Sequence, residues 1–412
     1  MTGKHPSLRS ERRRLMKWAG ASAALGSLSF PALVRGQSGP LKVGVILPLS
    51  GVLSFPGIAT RRGTELAVKM FAEQGVTLDV TYADYESKPE NGRVVAERLI
   101  RDGCTILVGA WDSGATISAA QACEAAKVPL VVNVGSARQI TEQGFTQVFR
   151  NFSPSDDIVA HGVQRFKEIL RPGFEPKTAV VLHVNDTFGQ ATSGAVKALW
   201  EKSGMGIRIV DMISYDARAR DLSVEVAKAK ASGADLVAPI TRVNDAILIV
   251  REMVKQDYNP MAIYGPSSPG PYEKAFTDAM GKYANDYLVS VPWYDASRAL
   301  TKRVLDRWSK AYPDGRFELN SGFGWESILV VADAFQRAKS NRSGDLHEAL
   351  RQTHINDHIM AGGPIVFDGK GQNPNIGIPL LQVQNQEPVV VGPKEAAQAA
   401  VKLPMTRWSE RA

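Results

Sequence analysis

Apolar residues in this chain fall into short unbroken Val/Ile/Leu runs separated by stretches of helical period. Leu41–Leu47 is a continuous run of strand length. Residues 60–74 follow, with Leu66, Met70 and Phe71 on one helical face and Gly75 as a stop. The spacing then predicts a strand at 76–82, a helix at 91–102 closed by Gly103, a strand at 105–108 and a helix at 115–126. The rhythm restarts near Lys177, with strands at 179–184, 207–213, 234–240 and 262–264 and helices at 188–202, 222–231 and 245–256. Strands that are apolar throughout, alternating with amphipathic helices, are buried on both faces and belong to parallel sheets covered by helices. Two such sets imply two similar α/β lobes. Beyond Asp286 the order changes: a strand at 287–292, helices at 299–312 and 323–339, then strands at 364–367 and 379–383. The Ala-rich tail from Lys394 reads as a peripheral helix.

The first 36 residues follow a different pattern. Arg12, Arg13 and Arg14 precede an apolar stretch, 18–33, that is too short and too rich in Ala, Gly and Ser to stay in a bilayer. Val34-Arg35-Gly36 closes it as a cleavage region would, so 1–36 reads as a removable export signal, of twin-arginine type. This changes the meaning of the charge. Those residues hold seven Lys/Arg and one acid, leaving 42 bases against 41 acids, so the formal charge of +7 falls to +1. The basic character belongs to the signal and gives no support to a nucleic-acid or anionic-membrane partner. No cysteine lies near the cleavage region, so a lipid anchor there is not expected. The remaining 376 residues exceed what one core sustains, which again points to two domains.

Only Cys104 and Cys123 exist, too few for a disulfide scaffold or a four-cysteine zinc site. A strand of about 3.3 Å per residue going up and a helix of about 1.5 Å per residue coming back would bring both sulfurs to one end of a strand–helix unit. A helix packs about 10 Å from its sheet, however, while bridged Cα atoms lie within about 7 Å. A Cys104–Cys123 bridge and two buried thiols both stay open. His354 and His358 read as a short surface segment, not a metal pair. The chain has no Gly-x-Ser-x-Gly elbow, no Gly-x-Gly-x-x-Gly after its first strand and no phosphate-loop Gly-Lys-Ser/Thr. No cofactor or metal is implied, and catalysis is not expected.

Ligands of open parallel sheets sit beyond the carboxyl ends of the strands. The loops that fall there are 48–59, 109–116, 134–137, 185–189, 241–245 and 265–270. They carry Ser and Thr hydroxyls, glycines and aromatic residues, a set that suits a small polar ligand.

At these loops the chain resembles the periplasmic ligand-binding proteins of ABC importers, of the branched-chain amino acid (Leu/Ile/Val) type. The resemblance is carried by Leu41-Lys42-Val43-Gly44-Val45-Ile46-Leu47-Pro48-Leu49-Ser50-Gly51, by Gly63-Thr64-Glu65-Leu66-Ala67-Val68 and by Val108-Gly109-Ala110-Trp111-Asp112-Ser113. It continues through Asn133-Val134-Gly135-Ser136-Ala137, Asp186-Thr187-Phe188-Gly189 and Gly363-Pro364-Ile365-Val366-Phe367-Asp368-Gly369, in family order along the chain. It implies an α/β fold of two Rossmann-like doubly wound lobes joined by three crossings, placed near Pro154, Pro292 and Phe367. The lobes would comprise 37–154 with 293–366, and 155–292 with 367–412. A ligand would lie in the cleft between them, and the partner would be an inner-membrane ABC permease. The protein would be periplasmic and monomeric.

The same resemblance assigns roles. Ser113 and Ser136 would bond a ligand carboxylate, helped by backbone N–H groups of the 109–116 and 134–137 loops, which include Val134 and Gly135. Trp111, Phe188 and Phe323 would line the side-chain pocket. Two positions depart from the amino-acid binders. Ser267 lies in a stretch, 265–268, where they have an acid for the ligand's ammonium, and Arg242 stands where they often have an aromatic residue. Asp112 is the one nearby acid able to replace the missing one, or else a helix cap. A small carboxylate without an α-amino group, aromatic or bearing a second polar group for Arg242, is therefore the expected ligand, with a branched-chain amino acid as the alternative. A sensor presenting its ligand to a membrane receptor would use the same cleft.

Overall fold

The computed structural model describes residues 1–2 and 39–411. From residue 3 on, the export signal read at 1–36 lies outside the described residues. Strand β1 (Leu41–Leu47) pairs in parallel with β2 (Leu78–Asp84) on one side and β3 (Ile106–Val108) on the other, with Val43 opposite Val80 and Ile106. With β4 (Leu130–Val132) and β5 (Val148–Arg150) they form a five-stranded sheet of order β2-β1-β3-β4-β5. The next strands are β6 (Thr178–Val184), β7 (Arg208–Tyr215), β8 (Leu236–Ile240), β9 (Ala262–Pro266) and β10 (Leu288–Ser290). They repeat that order as β7-β6-β8-β9-β10. After the two-stranded ladder β11 (His354–Ile355) and β12 (Ile365–Val366), the strands β13 (Leu380–Gln384) and β14 (Glu387–Gly392) extend the second sheet antiparallel, giving seven strands.

Both sheets put their strand-to-helix turns at the carboxyl edge, and side chains at those turns start the helices. Asp112 caps Ser113–Ala126 through bonds from Gly114 and Ala115 N–H at 2.9 and 3.1 Å. Asp186 caps Thr187–Lys202 by accepting from Gly189 N–H at 2.9 Å, and Glu318 caps Leu319–Ala338 through Asn320 N–H. A glycine is required at 189, where a Cβ would stand 1.8 Å from the Val184 carbonyl oxygen. Trp200 stacks on Tyr264 of β9 with centroids 6.0 Å apart, pinning Thr187–Lys202 to the second sheet. Burying an aromatic side chain of this size stabilises by about 3 kcal/mol.

The sequence periodicity places most of the elements it names to within a few residues, but the first helix begins at Ser54 instead of 60, β4, β5 and the helices Ser155–Ile169 and Ser343–Arg351 go unread, and four further readings change. The helix expected at 323–339 begins at Leu319, because Glu318 caps it. The tail from Lys394 is a short 3₁₀ turn, Lys394–Ala396, followed by extended chain. Pro393 and Pro404 restrict helix there, and buried Gln382 and Gln384 bind its backbone at Lys402 and Ala400. The third passage between the cores falls later than Phe367. The 367–373 segment is held to the edge of the first sheet by a parallel bridge from Gln372 to Arg150, Ile376 and Ile378 pack in the first core, and only from Leu380 does the chain join the second sheet. His358 is buried, not on a surface segment: it bonds Glu326 at 3.0 Å and the Gly363 carbonyl at 2.8 Å, while His354 is exposed.

Cys104 and Cys123 are free, buried thiols, so the bridge is not formed. The separation of helix from sheet outweighs their shared end of the strand–helix unit. No helix among the described residues is long and apolar enough to cross a membrane.

Candidate functional site

The turns at the carboxyl edges of the two sheets meet around a narrow cavity, about 400 Å³ when the open solvent at its mouth is counted. On the side of the first sheet its wall includes Trp111, Asp112, Ser113, Val134 and Ser136; on the side of the second it includes Phe188, Arg242 and Ser267. Eight of the ten ligand-site residues named from sequence thus share one cavity. Gly135 contributes its backbone elsewhere, its carbonyl accepting from Arg150. Phe323 is fully buried behind the wall, edge-on to Phe152 at 4.8 Å. Because the helix starts at Leu319, it is Leu319 that reaches the cavity, and Phe323 lies one turn deeper.

The two serines are set up alike. Ser113 Oγ accepts from Ala137 N–H at 3.1 Å. Ser136 Oγ accepts from Ser155 Oγ at 3.0 Å, and Ser155 Oγ in turn accepts from Thr192 Oγ1 at 3.0 Å. In each case a neighbour occupies an acceptor position of the hydroxyl, and its own proton is uncommitted within the protein. The Ala137 N–H, one of the backbone donors expected to reach a ligand, is spent on Ser113. Beneath this loop Arg150 holds the carbonyls of Gly135 and Ala137 at 3.3 and 2.7 Å, Thr141 Oγ1 at 2.9 Å and Gln372 Oε1 at 2.6 Å. Burial pulls its guanidinium down to about 9.

Arg242 is not a free arm reaching into the cavity. Its Nη1 donates to Asp186 Oδ2 at 2.5 Å, and its guanidinium lies over the rings of Phe188 and Trp111 at 5.0 and 5.8 Å. Burial opposes its charge, but Asp186, Asp112 and Asp245 overcome that and raise its pKa above the ordinary value. Asp245 bonds Arg242 N–H and the Tyr215 hydroxyl, and burial lifts its carboxyl to about 6. Burial also raises Asp112, against Tyr85 and Arg242, which favour its charged form. Ser267 has a left-handed backbone, φ 56°, a strained conformation for a non-glycine residue and one that recurs at ligand sites. Close approach of its loop to Arg242 requires glycine at 270, where φ is 112° and a Cβ would meet the Arg242 carbonyl carbon at 2.8 Å.

Trp111 meets the second half of the wall through the Arg242 guanidinium over its ring, and its indole N–H is held within the first half. Its Nε1 donates to Asn320 Oδ1 at 2.7 Å, and Asn320 Nδ2 donates to Glu318 at 2.9 Å. Burial lifts Glu318 to about 7. The halves also meet where Asn244 Nδ2 donates to the Val52 carbonyl at 3.0 Å, and where Arg316 donates to the Tyr272 carbonyl at 3.1 Å and to Glu387 at 2.7 Å.

Sequence reasoning missed Phe152, Ile158, Pro269, Tyr272, Val291 and Leu319 in the wall. Phe152 and Val291 stand beside the crossings placed at Pro154 and Pro292, and Pro269 and Tyr272 lie in or just past the 265–270 loop. Asking which apolar residues flank each crossing would have found the first two. Leu319 carried no such signal without the start of its helix.

A cleft of this kind, shared by two doubly wound sheets whose five parallel strands run in the same order, defines a class of two-lobed solute-binding proteins. The chain belongs to the periplasmic binding protein family, whose model matches residues 40–388. A Leu/Ile/Val-binding protein homolog 7 from Brucella suis biovar 1 (strain 1330) is 25% identical over 396 residues, covering 92% of this chain and 98% of that protein. Among solved structures, the branched-chain amino acid transporter substrate binding protein LivJ from Streptococcus pneumoniae, in complex with isoleucine, superposes with a TM-score of 0.73 at 20% identity, covering 89% of this chain and all of that one. An ABC-transporter solute binding protein from R. palustris, in complex with benzoate, gives 0.76 at 19% identity, covering 88% and 98%.

Proposed function

We propose that this protein is exported to the periplasm by the signal at 1–36, holds a small carboxylate in the cavity between its two lobes, and presents it to an ABC permease in the inner membrane. The lobes follow the two sheets: 39–154 with 293–378, and 155–292 with 379–411. The observation that carries the ligand class is the polarity of Ser113 and Ser136. Both hydroxyls accept from the protein and have a proton left to donate, which matches a group that only accepts, such as a carboxylate. The apolar part of the wall, with Val134, Phe188, Val291 and Leu319, suits a hydrocarbon body. The Brucella relative is named a binding protein, and a solute binding protein of similar fold holds benzoate.

A branched-chain amino acid is the second reading. It is favoured by the name of the Brucella relative and by Asp112, the one acid in the cavity wall that is not in an ion pair. Ser267 in place of an acid argues the other way. Thermal-shift screening separates the two. At a hundredfold excess over Kd, a ligand raises apparent stability by about 2.7 kcal/mol. Simple or aromatic carboxylates are expected to shift the transition more than leucine, isoleucine or valine. Shifts from the amino acids alone would replace this reading with the second one.

A further inference from the structure

Arg150 ends β5 fully buried, and every group its guanidinium bonds is neutral. The acceptors are Gln372 Oε1 at 2.6 Å, the Ala137 carbonyl at 2.7 Å, Thr141 Oγ1 at 2.9 Å and the Gly135 carbonyl at 3.3 Å. The acids that act on it from farther off, Asp157, Asp156 and Glu142, reach solvent and are held by Arg138, Glu142 also by Lys370. Among the described residues no carboxylate pairs with Arg150 directly. A buried cation of this kind is costly to keep, and an anion brought into the same dry region stabilises it.

The two carbonyls that Arg150 holds flank Ser136, which is 5% exposed and lines the cavity. A trans peptide sends its N–H away from its carbonyl. The Gly135–Ser136 unit therefore faces Arg150 with its oxygen and presents the Ser136 N–H on the opposite side. Among the described residues nothing accepts from that N–H. A charge-assisted bond at a carbonyl polarises the amide it belongs to, and hydrogen bonds in a chain strengthen one another. We infer that Arg150 is a positioning residue of the carboxylate site: acting through the Gly135–Ser136 peptide, it makes the Ser136 N–H a donor to the ligand carboxylate and supplies the positive charge that this anion balances. The inference rests on a carboxylate in the ligand, which a simple acid and an amino acid both carry. It adds to the two serine hydroxyls a main-chain donor with a cation behind it. Arg242, the cation in the cavity wall, already has Asp186 as its anion, whereas Arg150 has none.

Isothermal titration of acids against their amides tests this: benzoate with benzamide, 4-methylpentanoate with 4-methylpentanamide, and leucine with leucinamide. The wild type is expected to prefer the acid. Arg150→Gln, which is neutral, is expected to cut that preference about tenfold or more by weakening the acid. Arg150→Lys keeps the charge and is expected to retain most of it. A residue that only braced the loop would weaken acid and amide alike. A preference unchanged in Arg150→Gln, or lost equally in both variants, overturns the inference and leaves the ligand carboxylate in place. Binding of no acid, or amides bound as tightly as acids by the wild type, removes both together. Amide NMR of wild-type protein carrying isotope-labelled serine gives a readout that does not depend on the Arg150 variants folding. The Ser136 amide proton, identified by its loss in Ser136→Ala, is expected to move downfield on saturation with the tightest-binding acid. A Ser136 amide that stays in place overturns the inference.

Discussion

Replacing Glu326 by Ala is expected to destabilise the fold by about 3–5 kcal/mol, the range for removing one partner of a buried, charge-assisted network. Glu326 is fully buried in the helix Leu319–Ala338. It accepts from Asn151 Nδ2 at 2.8 Å and from the N–H groups of Ile359 and Met360, both at 2.9 Å, and pairs with His358 Nδ1 at 3.0 Å. Alanine leaves all four of these groups without their partner. Asn151 lies next to the first crossing, and Asn373 Nδ2 bonds its other end at 2.8 Å, so the loss reaches the segment leading to the third crossing. Glu326→Gln keeps one acceptor oxygen and the volume, and is expected to lose less. Denaturant unfolding of the three proteins measures this. A loss below about 1 kcal/mol for the alanine variant would mean the network is rearranged at little cost.

The second large effect is on binding. Ser113→Ala with Ser136→Ala removes both hydroxyl donors aimed at the carboxylate. A hydrogen bond to a charged group contributes about 1.5–3 kcal/mol, so each change is expected to weaken acidic ligands at least tenfold. The pair together should weaken them about 100-fold or more, with some departure from additivity because both act on one group. The fold is expected to persist, since Asp112 still caps its helix and Ser155 keeps its bond to the Ser136 carbonyl at 3.2 Å. Equal affinities in the double variant and the wild type would remove both serines from the site.

Much of this was legible in the sequence because buried parallel strands leave continuous apolar runs, and because site residues cluster where those runs end. Trp111, Ser113 and Ser136 follow their strands within a few positions, so locating the strand locates the residue. What the sequence hid was the state of each group. Nothing in the run 241–245 announces that Arg242 is clamped by Asp186, 56 positions away, or that Ser155 and Thr192 orient Ser136. These are contacts between segments far apart in the chain. Phe323 was misplaced because the start of its helix depends on one capping carboxylate, Glu318, which has no strong sequence signature. The tail was misread for a related reason. Its alanines favour helix, but buried Gln382 and Gln384 on β13 hold it extended, and propensity gave way to tertiary bonds.

The central claim is that the cavity belongs to both lobes and that a ligand draws them together. The halves already touch through Asn244 and Val52 and through Arg316 and Glu387, so entry requires these contacts to part and binding to restore them. Small-angle X-ray scattering, with and without a saturating amount of whichever acid gives the largest thermal shift, tests this most directly. The account predicts a smaller radius of gyration with the acid; an unchanged radius at saturation would contradict it.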